Sequence, residues 1–507
     1  METKAHRDPG AHHSAGPNPA RARRVGLLCL GLILLSAGCL VGPDFKPPQE
    51  AVPAKFSAQP AAQAEQALRD QDLAQWWTIF NDPVLVSLEK RALKANLDLQ
   101  VAQARLRQAR ASRGIAAGGL GPELDVSGSY QRTRYSSSST KSSSSLAGTV
   151  GDVYQTGFDA SWEVDIFGGL RRNLEAANAD VRASEEARRQ VMVSLTAEVA
   201  RNYLELRTLQ QRIIIARTNL AAQRHTARLT RQRQEVGFVS GLDTANAEAQ
   251  ASTTAARIPP LEAAARQTIH NLGVLLGQEP AALLPQLTPS EPIPASPPTV
   301  PTGLPSDLLT RRPDIRQAEA KLHAATARVG VATADLFPRF LLTGAAGYQS
   351  SSFSTWFDGA GNFWSIGPSI SWPIFASGKI RANIELKDAQ AEEALLVYRQ
   401  TVLNSLREVE DALVASTQEQ SHRRELTAAV AANQKALKLS TLLYTEGQVE
   451  FLNVLQAQGA LYVTEDALVS SNGAVGTNLV SLYKALGGGW QAEPKTGKPT
   501  VPLASSN

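Results

Sequence analysis

The chain has 507 residues, with 51 Lys and Arg against 47 Asp and Glu, for a formal net charge of +4. Residues 1–38 hold five of those bases and two acids, so a basic nucleic-acid surface is a poor source for the pI of about 9.0 and no nucleic-acid partner is expected. Both cysteines, Cys29 and Cys39, lie in the first forty residues, and His225, His270, His323 and His422 lack metal-pair spacing, which argues against disulfides, thiolate clusters, cysteine nucleophiles and most metalloenzymes.

Arg21, Arg23 and Arg24 flank an apolar run over 25–35 that ends in Ser36-Ala37-Gly38-Cys39, the layout of an export signal. The apolar stretch 25–41 is shorter than the roughly 20 residues of a spanning helix, and Gly42-Pro43 follows at once. Small residues before a cysteine resemble the lipobox of bacterial lipoproteins. On that resemblance residues 1–38 are a signal peptide and Cys39 carries covalent lipid, the one non-protein group expected. Leu40, where an inner-membrane lipoprotein has aspartate, points to outer-membrane delivery. Acyl chains contribute about 0.8 kcal/mol per buried CH₂, so several chains anchor stably. Residues 39–83 then form the anchor and an extended N-terminal segment.

Pro83 opens a helix predicted over 84–117, which Gly118-Gly119 ends; Leu97, Val101, Ala104, Ala111 and Ile115 form its apolar stripe. Two segments of period two follow, about 123–132 and 153–165. Leu124, Val126, Gly128 and Tyr130 alternate with Asp125, Ser127, Ser129 and Gln131; Tyr154, Thr156, Phe158, Ala160, Trp162 and Val164 alternate with mostly polar neighbours. The serine run over 136–145 between them has the composition of an exposed loop. Residues 170–235 contain no proline and amount to roughly 100 Å of helix, which must be packed laterally to survive. Val199, Tyr203, Leu206, Ile213 and Leu220 recur at coiled-coil spacing, with Gln210 and Arg217 as interruptions. A turn leads to a helix over 243–277, and the Pro-rich stretch 279–305 reads as an extended strap.

Beyond the strap the pattern repeats. WEVDIFGGLRRN, from Trp162, aligns without gaps on WPIFASGKIRAN, from Trp372, and the same offset of 210 carries Gly237, Val239 and Leu242 onto Gly447, Val449 and Leu452. At an offset of 216, Pro122 falls on Pro338, Gly128 on Gly344 and Leu106 on Leu322. The first copy, 84–278, is thus matched by a second, 306–489, predicted as helix, strands about 339–349 and 362–374, long helix, and helix 453–486. Its strands place Phe340, Leu342 and Tyr348, then Trp364, Ile366, Pro368, Ile370, Trp372 and Ile374, on the apolar face. Residues 490–507 have the composition of a disordered tail.

Dyad alternation with aromatics towards the strand ends (Tyr130, Tyr154, Trp162, Tyr348, Trp364, Trp372) fits the lipid-facing wall of an outer-membrane barrel with an aromatic girdle. A soluble sheet packed on a core is the competing reading. Four strands cannot close, since membrane barrels need about eight or more, and an open edge in lipid leaves backbone groups unpaired at several kcal/mol each. The chain must oligomerise. Pro368 has no amide donor and fits a strand only at an edge or bulge.

The stretches Cys39-Leu40-Val41-Gly42-Pro43-Asp44-Phe45, Trp76-Trp77-Thr78-Ile79-Phe80-Asn81-Asp82-Pro83, Asn96-Leu97-Asp98-Leu99, Arg311-Arg312-Pro313-Asp314-Ile315-Arg316 and Asp335-Leu336-Phe337-Pro338 resemble the outer-membrane channels of bacterial tripartite efflux pumps, the TolC-like and OprM-like lipoproteins of NodT type. Read from the residues alone, Trp76 and Trp77 are packing anchors and Pro313 opens a helix.

The resemblance implies an α+β membrane protein: a homotrimer whose four strands per chain make a twelve-stranded transmembrane β-barrel, continued by an α-helical coiled-coil tunnel in the periplasm. It further implies a lipid-anchored position in the outer membrane among its lipids, a periplasmic adaptor (membrane fusion) protein, an inner-membrane transporter of RND type, and passive conduction without catalysis. By the same resemblance the hairpin tips Gly237, Val239, Ser240 and Leu242, with Gly447, Val449 and Glu450, meet the adaptor, while Asp243, Leu452, Asn453 and Gln456 line the constriction. The local reading of Asp243 and Asn453 is helix N-capping, worth about 1 kcal/mol. Asn453 and Gln456 stand where family members commonly have aspartates, so this ring has no carboxylate to titrate. No GxxxxGK[ST], GxSxG or HExxH motif supports an enzyme. A type I protein-secretion channel, or a periplasmic coiled-coil scaffold or adaptor lipoprotein, are the alternatives.

Overall fold

The computed structural model of the chain describes residues 40–57, 73–136, 148–297, 303 and 305–490. The signal segment, Cys39, most of the serine run and the tail from 491 lie outside the described residues. In chain order the elements are α1 (Pro83–Ala95), α2 (Leu97–Gly118), β1 (Glu123–Arg134), β2 (Val150–Val164), α3 (Gly169–Glu235), α4 (Gly241–Leu275), α5 (Leu284–Leu287), α6 (Pro305–Arg311), α7 (Pro313–Ala334), β3 (Arg339–Ser350), β4 (Asn362–Ser371), α8 (Lys379–Thr445) and α9 (Phe451–Ala485). The long helices α3 and α8 have 67 residues each, and α4 and α9 have 35 each.

The chain divides into two compact units, one of residues 1–45, 113–177 and 324–391, the other of 46–112, 178–323 and 392–507. Each unit draws on both sequence copies, so a copy is not a compact body.

The first unit holds a single antiparallel sheet in the order β1-β2-β3-β4. Val126 lies opposite Phe158, Phe158 opposite Ala346, and Ala346 opposite Trp364. Because side chains alternate between faces at every residue, this in-step register gathers the even-numbered residues of all four strands on one face. β4 stops at Ser371, short of the predicted 374, because Pro373 brings no N–H to a ladder; the Ile374 amide instead donates to the Trp372 carbonyl at 3.0 Å in a tight turn.

The second unit is helical around one core. Trp76 is fully buried and stacks on Tyr483 with ring centroids 5.3 Å apart. Leu85 and Leu88 of α1, Val199, Tyr203 and Leu206 of α3, Leu272 of α4 and Val409 of α8 join the same cluster, each such side chain contributing about 1.5–3 kcal/mol on burial.

Several expectations fail here for physical reasons. The helix predicted over 84–117 is two helices. Asn96 leaves helical backbone (ψ 132), ends α1, and accepts from the Leu99 amide at 2.9 Å at the start of α2. The stripe Leu97, Val101 and Ile115 is exposed, and α2 buries Ala102 and Leu106 instead; periodicity marks an apolar face without saying what covers it. Gln210 does not interrupt the α3 packing face. It is buried, and its amide donates to the Leu287 carbonyl at 2.7 Å. The strap is not extended throughout, since α5 forms within it and Leu283 and Leu287 plug the core. The helix predicted over 243–277, by contrast, forms as α4 and continues through Pro259 and Pro260, where the missing amides leave two carbonyls of the preceding turn without their usual donors.

Candidate functional site

Three local structures carry the functional reading: the sheet face, the segment after Cys39, and the hairpin tips. On the even face Leu124, Val126, Phe158, Ile366 and Ile370 are all exposed, a contiguous apolar surface of the kind that marks a membrane or partner contact. The odd face is polar, and Ser127 donates to Asp159 across the strands at 2.7 Å. At the loop end, Tyr130 lies opposite Tyr154 with rings 4.8 Å apart, and Tyr348 and Trp364 are exposed on the same face. Sequence reading missed the loop aromatics Phe353 and Trp356, which pack on Tyr154 at 5.8 and 5.5 Å. At the helix end the Trp162 indole donates to the Leu120 carbonyl and the Trp372 indole to the Leu336 carbonyl, each at 3.0 Å. From Tyr154 to Trp162 the strand runs about 26 Å at roughly 3.3 Å per residue, close to the height of an outer-membrane apolar band.

The segment after Cys39 docks in the same unit. The Val41 amide donates to the Phe167 carbonyl at 3.2 Å. Arg172, buried, donates to the Val41 carbonyl at 3.2 Å, to Asp44 at 2.6 Å and to Glu175 at 2.8 Å. Burial alone would lower the guanidinium pKa; the hydrogen bonds to Asp44 and Glu175 outweigh it and the net shift is upward. Sequence reading gave Arg172 no role: Glu175 is a local i,i+3 partner, but Val41 and Asp44 lie 131 and 128 residues away, too far along the chain for a local signal.

Each tip begins with the same helix ending. Gly237 (φ 77) and Gly447 (φ 69) take the left-handed backbone that glycine tolerates, and the Phe238 and Gln448 amides reach back to the Arg233 and Leu443 carbonyls at 2.8 and 2.9 Å, a Schellman closure. The tips then diverge. Ser240 is the N-cap of α4, with the Asp243 amide donating to its Oγ at 3.2 Å and the Ser240 amide donating to Asp243 Oδ2 at 3.1 Å. Asp243 is therefore not the cap but its partner three residues on; the Ser240-x-x-Asp243 spacing was the available signal. At α9 the cap position is Glu450, which makes no side-chain cap bond, and Asn453 Nδ2 donates to its carbonyl at 3.3 Å. Leu452, Asn453 and Gln456 share the exposed side of α9, while Phe451 and Val454 turn inward against Ala247. Val239 and Val449 are half-buried, whereas Leu242 and the neighbouring Val236 and Phe238 stand exposed.

Among the described residues no group of three or more His, Cys, Asp or Glu side chains is placed to hold a metal ion, and no helix is long and apolar enough to cross a membrane.

An antiparallel sheet with one exposed apolar face, aromatic ends and two edges open among the described residues, carried by a chain that also builds two 67-residue helices, is the arrangement of an outer-membrane channel protein. The model of the outer membrane efflux protein family matches residues 88–278 and 304–488, and the chain belongs to that family. It is 32% identical to Nodulation protein T of Rhizobium leguminosarum bv. trifolii over 92% of this chain and 97% of that protein. It is 35% identical to the pyoverdine export outer membrane protein OpmQ of Pseudomonas aeruginosa (83% and 89%), and 32% identical to the solvent efflux pump outer membrane protein SrpC of Pseudomonas putida (90% and 97%). The outer-membrane channel OprN is structurally similar, with TM-score 0.84 and 37% identity over 90% of this chain and all of that one; the open state of the Neisseria gonorrhoeae MtrE channel gives 0.77 and 28% over 89% and 99%. The protein is an outer-membrane efflux channel that extends into the periplasm.

Proposed function

We propose that three copies pool their sheets into one twelve-stranded transmembrane barrel, continued by a twelve-helix tunnel, and that this trimer is the passive exit duct of a tripartite efflux pump. The observation that carries the reading is a sheet with an apolar face whose β1 and β4 edges have no partner among the described residues; in lipid such edges cost several kcal/mol per unpaired group, which closure removes. The matching lengths of α3 with α8 and α4 with α9 support a duplicated unit, so three chains supply six equivalent hairpins. Acylation of Cys39 would tether the N-terminus.

The relatives named as efflux-pump components support partners that complete a pump, which we take to be an inner-membrane transporter of RND type and a periplasmic adaptor. The exposed Val236, Phe238 and Leu242 favour the tips as the adaptor contact. Leu452, Asn453 and Gln456, with Asp243 from the other tip, would line the constriction, closed by amide hydrogen bonds and leucine packing. Catalysis has no place in this reading. Detergent-purified protein is expected to have the mass of three chains and to conduct ions across a planar bilayer; a monomer that passes no current overturns the proposal.

A further inference from the structure

Part of the strap runs without backbone partners. As far as Glu291 it is tied to α3, where Arg207 donates to the Pro289 carbonyl and the Gln211 amide to the Glu291 carbonyl, each at 3.0 Å. Beyond that point the Ile293, Ala295 and Ser296 amides make no hydrogen bond among the described residues. Pro292, Pro294 and Pro297 hold this stretch extended and bring no donor of their own. It borders a cavity of about 280 Å³ whose other walls come from Gln211 of α3, Arg423 of α8, and Val469 and Asn472 of α9. All of these residues lie in the second compact unit.

The chemistry of the walls is one-sided. Arg423 is half-buried, and its guanidinium has no hydrogen-bond or ion-pair partner among the described residues; the Asn472 amide and the Ser296 hydroxyl are also unengaged there. No Asp or Glu side chain lines the cavity. The acids one turn away are held elsewhere: Glu419 accepts from the Ser471 hydroxyl, and Asp466 accepts from Arg212 at 2.8 Å. Ile293 and Val469 add apolar wall. A partly desolvated cation among neutral donors, with no negative charge facing it, favours an anion.

The duplicated scaffold does not require a cation at this place. The offset of 210 that relates α3 to α8 and α4 to α9 carries Ile213 onto Arg423 and Glu262 onto Asn472. Ile213 packs in the hydrophobic core and Glu262 pairs with Arg217 at 2.6 Å. The first copy therefore packs the same helix positions without a free guanidinium, and the unpaired arginine occurs only in the copy whose helices border the strap cavity.

We propose that this cavity binds a small organic monocarboxylate, its carboxylate held by the Arg423 fork with Asn472 and Ser296 as further donors, and its apolar body against Ile293 and Val469. One guanidinium with neutral donors balances one negative charge, and the planar fork matches a carboxylate. The volume is at the lower end of ligand cavities, about 300 Å³, which limits the ligand to a free acid of a few carbons or one ring, or to the carboxyl end of a peptide. A bound acid ties the unpartnered stretch of the strap to α8 and α9. The site is built within one chain and does not depend on how many copies assemble.

The test is ligand-observed NMR titration of full-length, detergent-purified protein with benzoate, a free acid, and N-acetylalanine, a peptide-end mimic. At least one of the two is expected to bind saturably, with its amide (benzamide or N-acetylalaninamide) at least tenfold weaker. Arg423→Gln, which removes the charge, and Val469→Glu, which sets a like charge against the ligand, should each weaken binding at least tenfold in protein of unchanged oligomeric mass. Tighter binding of benzoate assigns the site to free acids, and of N-acetylalanine to peptide ends. In the parent protein, without any substitution, the bound acid should slow hydrogen exchange at the Ile293 and Ala295 amides. Absence of saturable binding by both acids, equal binding to parent and variants, unchanged exchange along the strap, or inorganic phosphate binding as tightly as either acid overturns the proposal.

Discussion

Arg172, only 2% exposed, donates to Asp44 at 2.6 Å, although the Asp44 side chain is 80% exposed. One buried cation thus holds a solvated carboxylate and, through it, the chain segment that follows Cys39. Since Asp44 stays hydrated when the pair is broken, Arg172→Ala should cost about 1–3 kcal/mol, the scale of charge-assisted hydrogen bonds, and not the larger penalty of stranding a buried charge. Hydrogen exchange at the Val41 amide should speed up markedly; an unchanged rate would show that the segment is held by something else. Gly330→Ala crowds the same side chain and should give a similar, non-additive loss in a double-mutant cycle.

The unequal tips predict opposite responses to capping changes. Ser240→Ala removes half of a reciprocal cap and should destabilise the α4 end by about 1 kcal/mol. The double substitution Glu450→Ser with Asn453→Asp builds the missing box at α9 and should stabilise that end by a similar ~1 kcal/mol. Exchange rates of the first-turn amides of each helix report the change; equal responses at the two tips would contradict the structural asymmetry.

Glu89 is fully buried, neither of its carboxylate oxygens has a hydrogen-bond partner among the described residues, and burial pushes its carboxyl pKa well above the ordinary value of 4.5. With the folded pKa raised, the folded chain keeps a proton that the unfolded chain releases, so this residue's contribution to stability falls as pH rises above about 4.5. Glu89→Gln removes that dependence. Melting curves should show the variant gaining on the parent from pH 5 to pH 8 and no gain below about pH 4; a gain independent of pH would rule out the protonated carboxyl.

At the proposed constriction, the exposed Asn453 and Gln456 present amides and no acid. Single-channel conductance should therefore show no titration step from this ring, while Asn453→Asp should introduce one near pH 4, the ordinary carboxylate range, together with block by divalent cations. Unchanged cation block in the variant would move the constriction away from this residue.

Much of this architecture was legible in advance. The two-residue alternation from Leu124 to Tyr130 and from Tyr154 to Val164, and the proline-free run after Gly169, are local patterns, and the sheet and helices follow them. Where local pattern misled, a distant partner decided. Gln210 read as a flaw in a coiled-coil stripe, yet its amide satisfies a carbonyl of the strap, 77 residues away. Leu97, Val101 and Ile115 read as an apolar stripe yet lie open, because α2 is covered within the chain on another side.

The sequence by itself determined which segments are strands or helices, which strand face is apolar and where the turns fall, because backbone sterics and side-chain period act over a few residues. Only the tertiary structure decided that Arg172 holds Asp44, that Ser240 and not Asp243 caps α4, and that the sheet runs β1-β2-β3-β4 with its two outer edges bare. Those outcomes depend on which groups the folded chain brings within hydrogen-bond reach across scores of residues, and a one-dimensional period carries no record of that route.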